Sequence, residues 1–353
     1  MGRRVVIRAD ASRAIGSGHV MRCLTFAERL RKRGDDVTFV SRELPGNLIA
    51  FVEGKGFRVL HLPHHAEDAS LTGYAAWLTV PVTVDAEETL AAVSRHIDLL
   101  VVDSYALDIA WERRLRAVAA RIFVIDDLAN RVHDCDALLD QNFYRDAAHR
   151  YDGLVPATCD VRIGPRYALL REEFFAARRS LRTRDGHLRR VFVFYGGSDL
   201  TRETEKAVRA LLAVPELRLA ADVVVGSSNA HLAEIKALCA GHESLHLHVQ
   251  AQNMAALMAA ADLALGAGGA TTWERCVLGL PALVTIVAEN QRAVARDCAE
   301  AGLIRLLGDW EMVTEARIAD ELRTYAAPER LRELQARCVL EIGDLKGMER
   351  GEA

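Results

Sequence analysis

The sequence predicts an α/β protein made of two doubly wound domains that face each other across a cleft. The chain has 353 residues, which is too long for one ordinary core and suits two domains of about 150–180 residues each. Short β-branched runs alternate with longer amphipathic stretches such as TRETEKAVRALLAV, a pattern typical of right-handed strand–helix–strand crossovers. Several runs are continuously apolar, as expected for parallel strands that are buried on both faces.

Twelve runs carry the strand pattern and fall into two groups. The first group is VVIRAD, DVTFVSR, FRVLHL, DLLVVDSY, RIFVIDD and ALLDQN. The second group is RVFVFYGG, ADVVVGS, LHLHV, DLALGAGG, ALVTIV and LIRLL. We therefore predict an N-terminal α/β domain over residues 1–170, a charged connection over 171–190 and a C-terminal α/β domain over 191–353. One large sheet with a long surface helix at the connection is the alternative.

Composition narrows the class of ligand. The net charge of −4 gives no basic footprint for nucleic acid. No apolar run reaches the roughly 18 residues of a membrane span, and the N-terminus enters a strand without a signal-peptide pattern. The seven cysteines are odd in number and contain no Cys-x-x-Cys, which favours reduced thiols over disulfides or zinc. We expect a cytoplasmic protein that binds a small molecule and needs neither a cofactor nor a metal.

The loop after the first strand holds the first candidate site. In parallel sheets, ligands bind beyond the carboxyl ends of the strands. Gly16 and Gly18 allow a sharp turn and close approach of a ligand, and free amides at a helix start attract anions. His19 follows in the first helical turn, where the helix dipole favours a neutral ring that accepts a proton. Asp10 is a candidate to orient that ring, and Arg22 shares its helix face. A polar helix start with a solvated arginine is the alternative.

A second glycine turn occurs in GAGGATTWE, residues 266–274. Gly268 and Gly269 lie between a strand and a helix start, which suits a diphosphate. The turn differs from the dinucleotide-binding fingerprint because position 271 is threonine. Thr271, Thr272 and Glu274 are candidate ligand contacts, with the Glu274 carboxylate accepting hydrogen bonds from a ribose diol. Thr271 and Glu274 also fit a capping box, so helix capping is the alternative role.

Two further loops follow strands of the second group. Gly196 and Gly197 in VFYGGSD either approach a ligand or only form a tight turn, and Asp199 is expected to cap the next helix. In VAENQ, Asn290 and Gln291 stand where another helix begins, so Asn290 either contacts a ligand or serves as an N-cap.

Tyr167 and Arg171, in RIGPRYALLREEF, lie near the predicted connection between the domains. They either touch a ligand or pack the hinge, and their position favours packing.

Six ordered blocks of the sequence together resemble a known family. The blocks are RADAS with IGSGHVMRC, VVDSYALD, IDDLANRVHDCDALLDQN, RIGPRYALLREEF, YGGSD and GAGGATTWERCVLGLP, and the match runs from about residue 5 to residue 300. This pattern is similar to the UDP-2,4-diacetamido-2,4,6-trideoxy-β-L-altropyranose hydrolases of pseudaminic acid biosynthesis. The family resembles the peptidoglycan N-acetylglucosaminyl transferase, which implies two Rossmann-like domains in a GT-B-like arrangement.

The resemblance implies a reaction and a set of roles. Water attacks the anomeric carbon of the UDP-sugar, UDP leaves and the configuration inverts. His19 matches the family's base, and Glu274 matches the position that holds the uridine ribose. Tyr105, in the block VVDSYALD, is a further candidate for substrate contact. Asn290 and Gln291 match loops on the nucleotide side. Ala270 stands where serine is expected, which leaves a backbone contact to phosphate at that position.

Two other functions fit the same residues. A GT-B glycosyltransferase passes the sugar of a UDP-amino sugar to an acceptor and needs a second pocket for it. A non-catalytic nucleotide-sugar binding module binds the ligand without turnover. The absence of a metal-binding motif agrees with hydrolysis, because a nucleotide diphosphate leaves without a second acid and its charge is stabilised by backbone amides.

Overall fold

A computed structural model describes residues 2–93, 96–227 and 229–341. Contacts divide the chain into two compact units. The first contains residues 1–142 and 146–169, and the second contains residues 143–145 and 170–353. Residues 171–190, expected to be a connection, belong to the second unit because the helix at Glu172–Arg179 packs on two helices of that unit.

The described part of the first unit contains a parallel sheet of seven strands. In chain order the strands are β1 (Arg4–Ala9), β2 (Asp36–Arg42), β3 (Arg58–Leu62), β4 (Leu99–Asp103), β5 (Ile122–Ile125), β6 (Ala137–Asp140) and β7 (Asp160–Ile163). The helices are α1 (Gly18–Lys32), α2 (Ile49–Gly54), α3 (Val82–Val93) and α4 (Ile109–Leu115), with 3-10 turns at Gly73–Leu78 and Pro165–Tyr167. The spatial order β3-β2-β1-β4-β5-β6-β7 reverses direction between β1 and β4.

The second unit has a parallel sheet with six strands among its described residues. Its strands are β8 (Arg190–Phe194), β9 (Ala220–Val225), β10 (Leu245–Val249), β11 (Leu263–Ala267), β12 (Ala282–Ile286) and β13 (Arg305–Asp309). The helices are α5 (Glu172–Arg179), α6 (Glu203–Leu212), α7 (Leu232–Cys239), α8 (Met254–Ala260), α9 (Thr271–Val277), α10 (Arg292–Glu300), α11 (Glu315–Tyr325) and α12 (Pro328–Glu341), with 3-10 turns at Pro215–Leu217 and Glu289–Gln291. The order β10-β9-β8-β11-β12-β13 reverses between β8 and β11.

Both faces of the first sheet are covered, which explains the continuous apolar runs. Along β1, Val5 and Ile7 join the core beneath α1, while Val6 joins the core on the opposite face. Alternation along a strand sends successive side chains to opposite faces, so a strand covered on both faces must be apolar throughout. The predicted class, α/β with two doubly wound parallel sheets, is confirmed.

The twelve predicted runs each overlap one strand of the structure, and the sequence prediction missed β7. This edge strand, DVRI, is only four residues long and none of its residues is fully buried. Its charged and half-exposed side chains give no apolar run, so periodicity could not reveal it. Among the helices that the structure describes, none is long and apolar enough to cross a membrane.

Candidate functional site

The chain topology brings His19 to Asp103. Helix α1 follows β1 and begins at Gly18, while β4 lies beside β1 and ends at Asp103, which is in register with Ala9. The reversal of strand order between β1 and β4 is the switch point at which open α/β sheets bind ligands. There the Nδ1 atom of His19 lies 2.6 Å from an Asp103 carboxylate oxygen, with both side chains buried.

Arg22 fixes the Asp103 carboxylate from the same helix. Its Nε and Nη2 atoms each donate to a different carboxylate oxygen at 2.6 Å, a bidentate pair. Burial raises the pKa of the Asp103 carboxyl, but the charge of Arg22 and the hydrogen bonds from Arg22 and His19 outweigh it and bring the pKa well below its usual range. Asp103 is therefore an anion at neutral pH, and Arg22 is a buried part of the site instead of a solvated side chain.

The ionised carboxylate decides which nitrogen of His19 can accept a proton. Because Asp103 accepts a hydrogen bond from Nδ1, the neutral ring carries its proton there. The lone pair of the ring is then on Nε2. A histidine held in one tautomer by a buried carboxylate has the arrangement of a general base.

The prediction that Asp10 orients the ring is wrong. One Asp10 oxygen lies 2.6 Å from the Arg8 guanidinium and accepts a hydrogen bond from the Arg42 amide at 2.7 Å. Arg8 is fully buried within β1 and needs carboxylates to balance its charge, which Asp10 and Asp85 provide. Asp10 thus stabilises the sheet, and the orienting role belongs to Asp103.

Aromatic rings surround His19. Tyr105 packs edge-on at a ring distance of 4.6 Å and Trp77 at 6.1 Å. Tyr74 contacts both, with ring distances of 4.8 Å to Trp77 and 5.1 Å to Tyr105. The Tyr105 hydroxyl donates to Asp127, whose other oxygen accepts from Arg22 at 3.0 Å. The imidazole thus packs against two aromatic rings besides its contact with Asp103.

Glycines shape the turn before His19. Gly16 has a φ of +79°, a conformation that favours glycine, and its amide donates to the Ser12 carbonyl at 2.9 Å. A Cβ at Gly18 would meet no atom of the described chain within 4 Å. The helix start is therefore open at its first residue.

In the second unit, the GAGG turn lies at the other switch point. Gly266 at the end of β11 is in register with Phe194 of β8. The Gly268 amide donates to the Gln291 side-chain oxygen at 3.2 Å, which also accepts from the Val287 amide at 3.3 Å. Gln291 thus ties the glycine turn to the loop after β12. In the described chain, the amides of Gly269 and Ala270 have no backbone acceptor.

Glu274 does not cap its helix. Helix α9 begins after Ala270 and has no side-chain cap, so the capping-box reading of Thr271 and Glu274 is wrong. Glu274 instead accepts from Arg171 at 3.0 Å, and Arg171 also pairs with Glu173 at 2.6 Å. Burial raises the pKa of the Glu274 carboxyl against the opposing charge of Arg171.

The loop after β8 also lies at this switch point. Gly196 has a φ of +100°, and a Cβ on Gly226 would come within 2.6 Å of the Gly197 backbone. The backbone of Gly226 therefore packs directly against that of Gly197, and the positive φ accounts for glycine at 196. Asp199 accepts from the amides of Glu203 and Thr204 at 3.0 and 2.8 Å, which confirms its capping role.

The other predicted contacts have local roles. Asn290 lies inside the 3-10 turn Glu289–Gln291, so the N-cap reading is wrong. Tyr167 packs against the core of the first unit, and the Arg166 guanidinium covers its ring at 4.7 Å. The Thr272 hydroxyl accepts from Arg275 at 3.0 Å. No group of three or more His, Cys, Asp or Glu side chains in the described residues is placed to hold a metal ion.

The sequence did not reveal Asp103 or Trp77 as members of the His19 site, and it gave Asp127 no defined role there. A signal existed for the two carboxylates, since Asp103 ends β4, which pairs with β1, and Asp127 follows β5, which pairs with β4. Trp77 had none, because its 3-10 turn carries no periodic pattern.

Two doubly wound sheets with glycine turns at both switch points define a GT-B-like protein. In solved structures, the chain is similar to MurG of Acinetobacter baumannii at 15% identity and a TM-score of 0.62, covering 96% of this chain and 95% of that one. Residues 190–339 match the glycosyltransferase family 28 C-terminal domain.

Two curated proteins are similar in sequence to most of this chain. The chain is 26% identical over 300 residues to the UDP-2,4-diacetamido-2,4,6-trideoxy-beta-L-altropyranose hydrolase of Campylobacter jejuni, covering 85% of this chain and 97% of that protein. It is also 26% identical over 315 residues to the spore coat polysaccharide biosynthesis protein SpsG of Bacillus subtilis, covering 88% and 85%. The resemblance read from the six sequence blocks is confirmed.

Proposed function

We propose that this protein is an enzyme of nucleotide-sugar chemistry that hydrolyses the sugar–diphosphate bond of a UDP-sugar. The observation that carries the proposal is the buried His19–Asp103 pair at the first switch point. The substrate we propose is UDP-2,4-diacetamido-2,4,6-trideoxy-β-L-altropyranose, which the name of the Campylobacter jejuni relative specifies. The free sugar would then serve pseudaminic acid synthesis.

His19 acts on water. Its Nε2 lone pair accepts a proton from a water molecule as the oxygen attacks the anomeric carbon. The bond between that carbon and the diphosphate oxygen breaks, and its electron pair leaves with UDP. Attack opposite the leaving group inverts the configuration. Asp103 holds the tautomer and stabilises the imidazolium that forms, and the ring then returns its proton to solvent.

The second unit binds the nucleotide in this proposal. The Glu274 oxygen that does not face Arg171 accepts hydrogen bonds from the ribose hydroxyls, and Arg171 holds the carboxylate in place. The turn at Gly268 and Gly269 lies against the diphosphate, with backbone amides as donors. Gln291 fixes that turn from the side.

The leaving group makes one base sufficient. Glycosidases add a carboxylic acid because an alcohol leaves poorly, whereas UDP is a stable anion without protonation. Backbone amides and buried cations stabilise its developing charge. On this account the reaction proceeds without a divalent ion.

The family 28 match supports a second candidate, a glycosyltransferase that uses a UDP-amino sugar. The two functions share the base and the nucleotide loops and differ in what attacks the anomeric carbon. A sugar or lipid hydroxyl replaces water in the transferase.

The test is incubation of the purified, metal-stripped protein with a panel of UDP-sugars in excess EDTA and without an acceptor. We expect free UDP and free sugar in equal amounts from the diacetamido sugar. Loss of activity in EDTA that Mg²⁺ or Mn²⁺ restores would contradict the metal-free mechanism. Absence of product until an acceptor is added would favour the transferase.

A further inference from the structure

Arg275 lies beneath the glycine turn of the second unit. It belongs to α9, its side chain is buried, and its relative exposure is 2%. One nitrogen, Nη2, donates to the Ala267 carbonyl and to the Thr272 hydroxyl, each at 3.0 Å. A single guanidinium nitrogen therefore joins Ala267, the last residue of β11, to Thr272 near the start of α9.

A second nitrogen of this guanidinium, Nε, has no hydrogen-bond partner in the described chain. The Glu274 carboxylate attracts the Arg275 charge, but it hydrogen-bonds to Arg171, so the buried Nε of Arg275 stays without an acceptor among the described residues. Burial lowers the pKa of Arg275. Burying a charged group whose hydrogen bonds are incomplete costs free energy, and a positive charge of this kind favours an anion nearby.

Arg184 shows how the same unit buries an arginine for structure alone. Its Nε donates to the Ala261 carbonyl at 2.7 Å, its Nη1 to the Leu278 carbonyl at 2.7 Å and its Nη2 to the Met258 carbonyl at 3.1 Å. Every nitrogen has a partner, and these carbonyls lie at or near the C-terminal ends of α8 and α9, where cations are stabilised. In Arg275, by contrast, Nε has no hydrogen-bond partner among the described residues.

Gly266, near the end of β11, lies directly against the Arg275 guanidinium. A Cβ on Gly266 would lie 2.7 Å from Arg275 Nη1 and 2.7 Å from the Phe194 carbonyl oxygen. Any larger residue at this position would displace the guanidinium or the neighbouring strand. Glycine at 266 is thus explained by the room that the arginine occupies.

We propose that Arg275 is a positioning residue that holds the GAGG turn in shape and places a buried positive charge under a bound diphosphate. The inference rests on the proposed function for the identity of the nucleotide. It adds the source of the positive charge, which sequence motifs did not indicate. Arg275 acts through the turn and need not touch the ligand.

The experiment measures the affinities of wild type and variants for UDP, uridine and inorganic pyrophosphate by calorimetry. Arg275→Met removes the charge, Arg275→Lys keeps it, and Arg184→Met is the matched control. We expect Arg275→Met to weaken UDP and pyrophosphate about 10–100-fold while uridine affinity changes little. Arg275→Lys should recover much of the loss, and Arg184→Met should lower thermal stability without this selectivity.

Each of the other outcomes overturns the role of Arg275, the proposed function, or both. Equal weakening of UDP and uridine by a folded Arg275→Met, or no weakening, overturns the role of Arg275 and leaves the nucleotide site standing. If Arg275→Met does not fold, Arg275→Lys is the test. The role of Arg275 is overturned if Arg275→Lys keeps the wild-type preference for UDP over uridine and loses only kcat. Pyrophosphate binding that depends on Arg275, without any uridine or UDP preference, overturns the proposed function alone. A wild type that binds none of the three overturns both.

Discussion

Asp103 accepts a hydrogen bond from His19 across 84 positions of sequence, with 2.6 Å between the carboxylate oxygen and Nδ1. The contact depends on the parallel pairing of β1 with β4, which ends one strand at Asp103 and leads the other into α1. Arg22 completes the arrangement by holding both carboxylate oxygens. The proposed base is therefore set by sheet topology.

His19→Ala should lower kcat by about 10²–10⁴-fold, the usual loss when a positioned general base is removed. UDP affinity should stay near that of wild type, because the proposed nucleotide contacts lie in the other unit. Stopped assays of UDP release together with UDP titration check both. His149→Ala, at an exposed histidine, is the control. Near-normal turnover in His19→Ala would exclude this base.

Asp103→Asn should reduce kcat by at least about 10-fold, since an amide cannot hold the Nδ1–H tautomer as an ionised carboxylate does. Asp10→Asn is the matched control, as it alters a buried carboxylate at the end of the adjacent strand. Both variants should lose stability, and only Asp103→Asn should lose kcat in the folded fraction. Equal losses of kcat in Asp103→Asn and Asp10→Asn would instead support Asp10 as the residue that orients His19.

Glu274→Gln should raise the Kd for UDP more than it lowers kcat, because the side chain is proposed to bind the ribose. Its helix has no side-chain cap to lose, so any fall in the thermal midpoint should come from the weakened contact with Arg171. Isothermal titration with UDP and a thermal melt of the same sample measure the two effects. An unchanged Kd would contradict the ribose contact, and a stability loss alone would be the result of the weakened contact with Arg171.

The stability of the chain should fall as pH rises from about 4 to about 7, in part through Asp140. Burial, with Asp127 nearby, raises the pKa of Asp140 to about 7, against about 4 for an unfolded aspartate. Over that range the folded state binds more protons than the unfolded state, so raising the pH favours unfolding.

Asp140→Asn removes this titration and should flatten that part of the profile, a change of up to about 4 kcal/mol. Urea unfolding of both proteins at pH 5 and pH 7.5 measures it, with Asp152→Asn at an exposed aspartate as the control. Parallel pH profiles for wild type and Asp140→Asn would contradict the shift.

The strands were predictable because burial on two faces leaves a direct trace in the sequence. β4 and β11 are buried at every position and are apolar throughout, except for Asp103 at the end of β4. β7 left no such trace, since it lies at the edge with exposed charges. In sheets of this kind, the central strands can therefore be predicted from the sequence.

The site was only partly predictable for a related reason. His19, its glycines and the GAGG turn lie in local motifs that the sequence displays. Asp103 and Arg275 act through tertiary contacts, and no spacing rule separates Asp103 from Asp10 before the strand order is known. Arg275 reads as an ordinary charged helix residue until its burial is seen.

The central claim is that His19 activates water against a UDP-sugar. The direct measurement is reaction of the full chain with the UDP-diacetamido sugar in ¹⁸O-labelled water, without acceptor, followed by NMR and mass spectrometry. We predict that wild type releases UDP and a free sugar of inverted configuration that carries the label at its anomeric carbon, and that His19→Ala does not. Label in the UDP phosphate, or no free sugar unless an acceptor is present, would contradict the account.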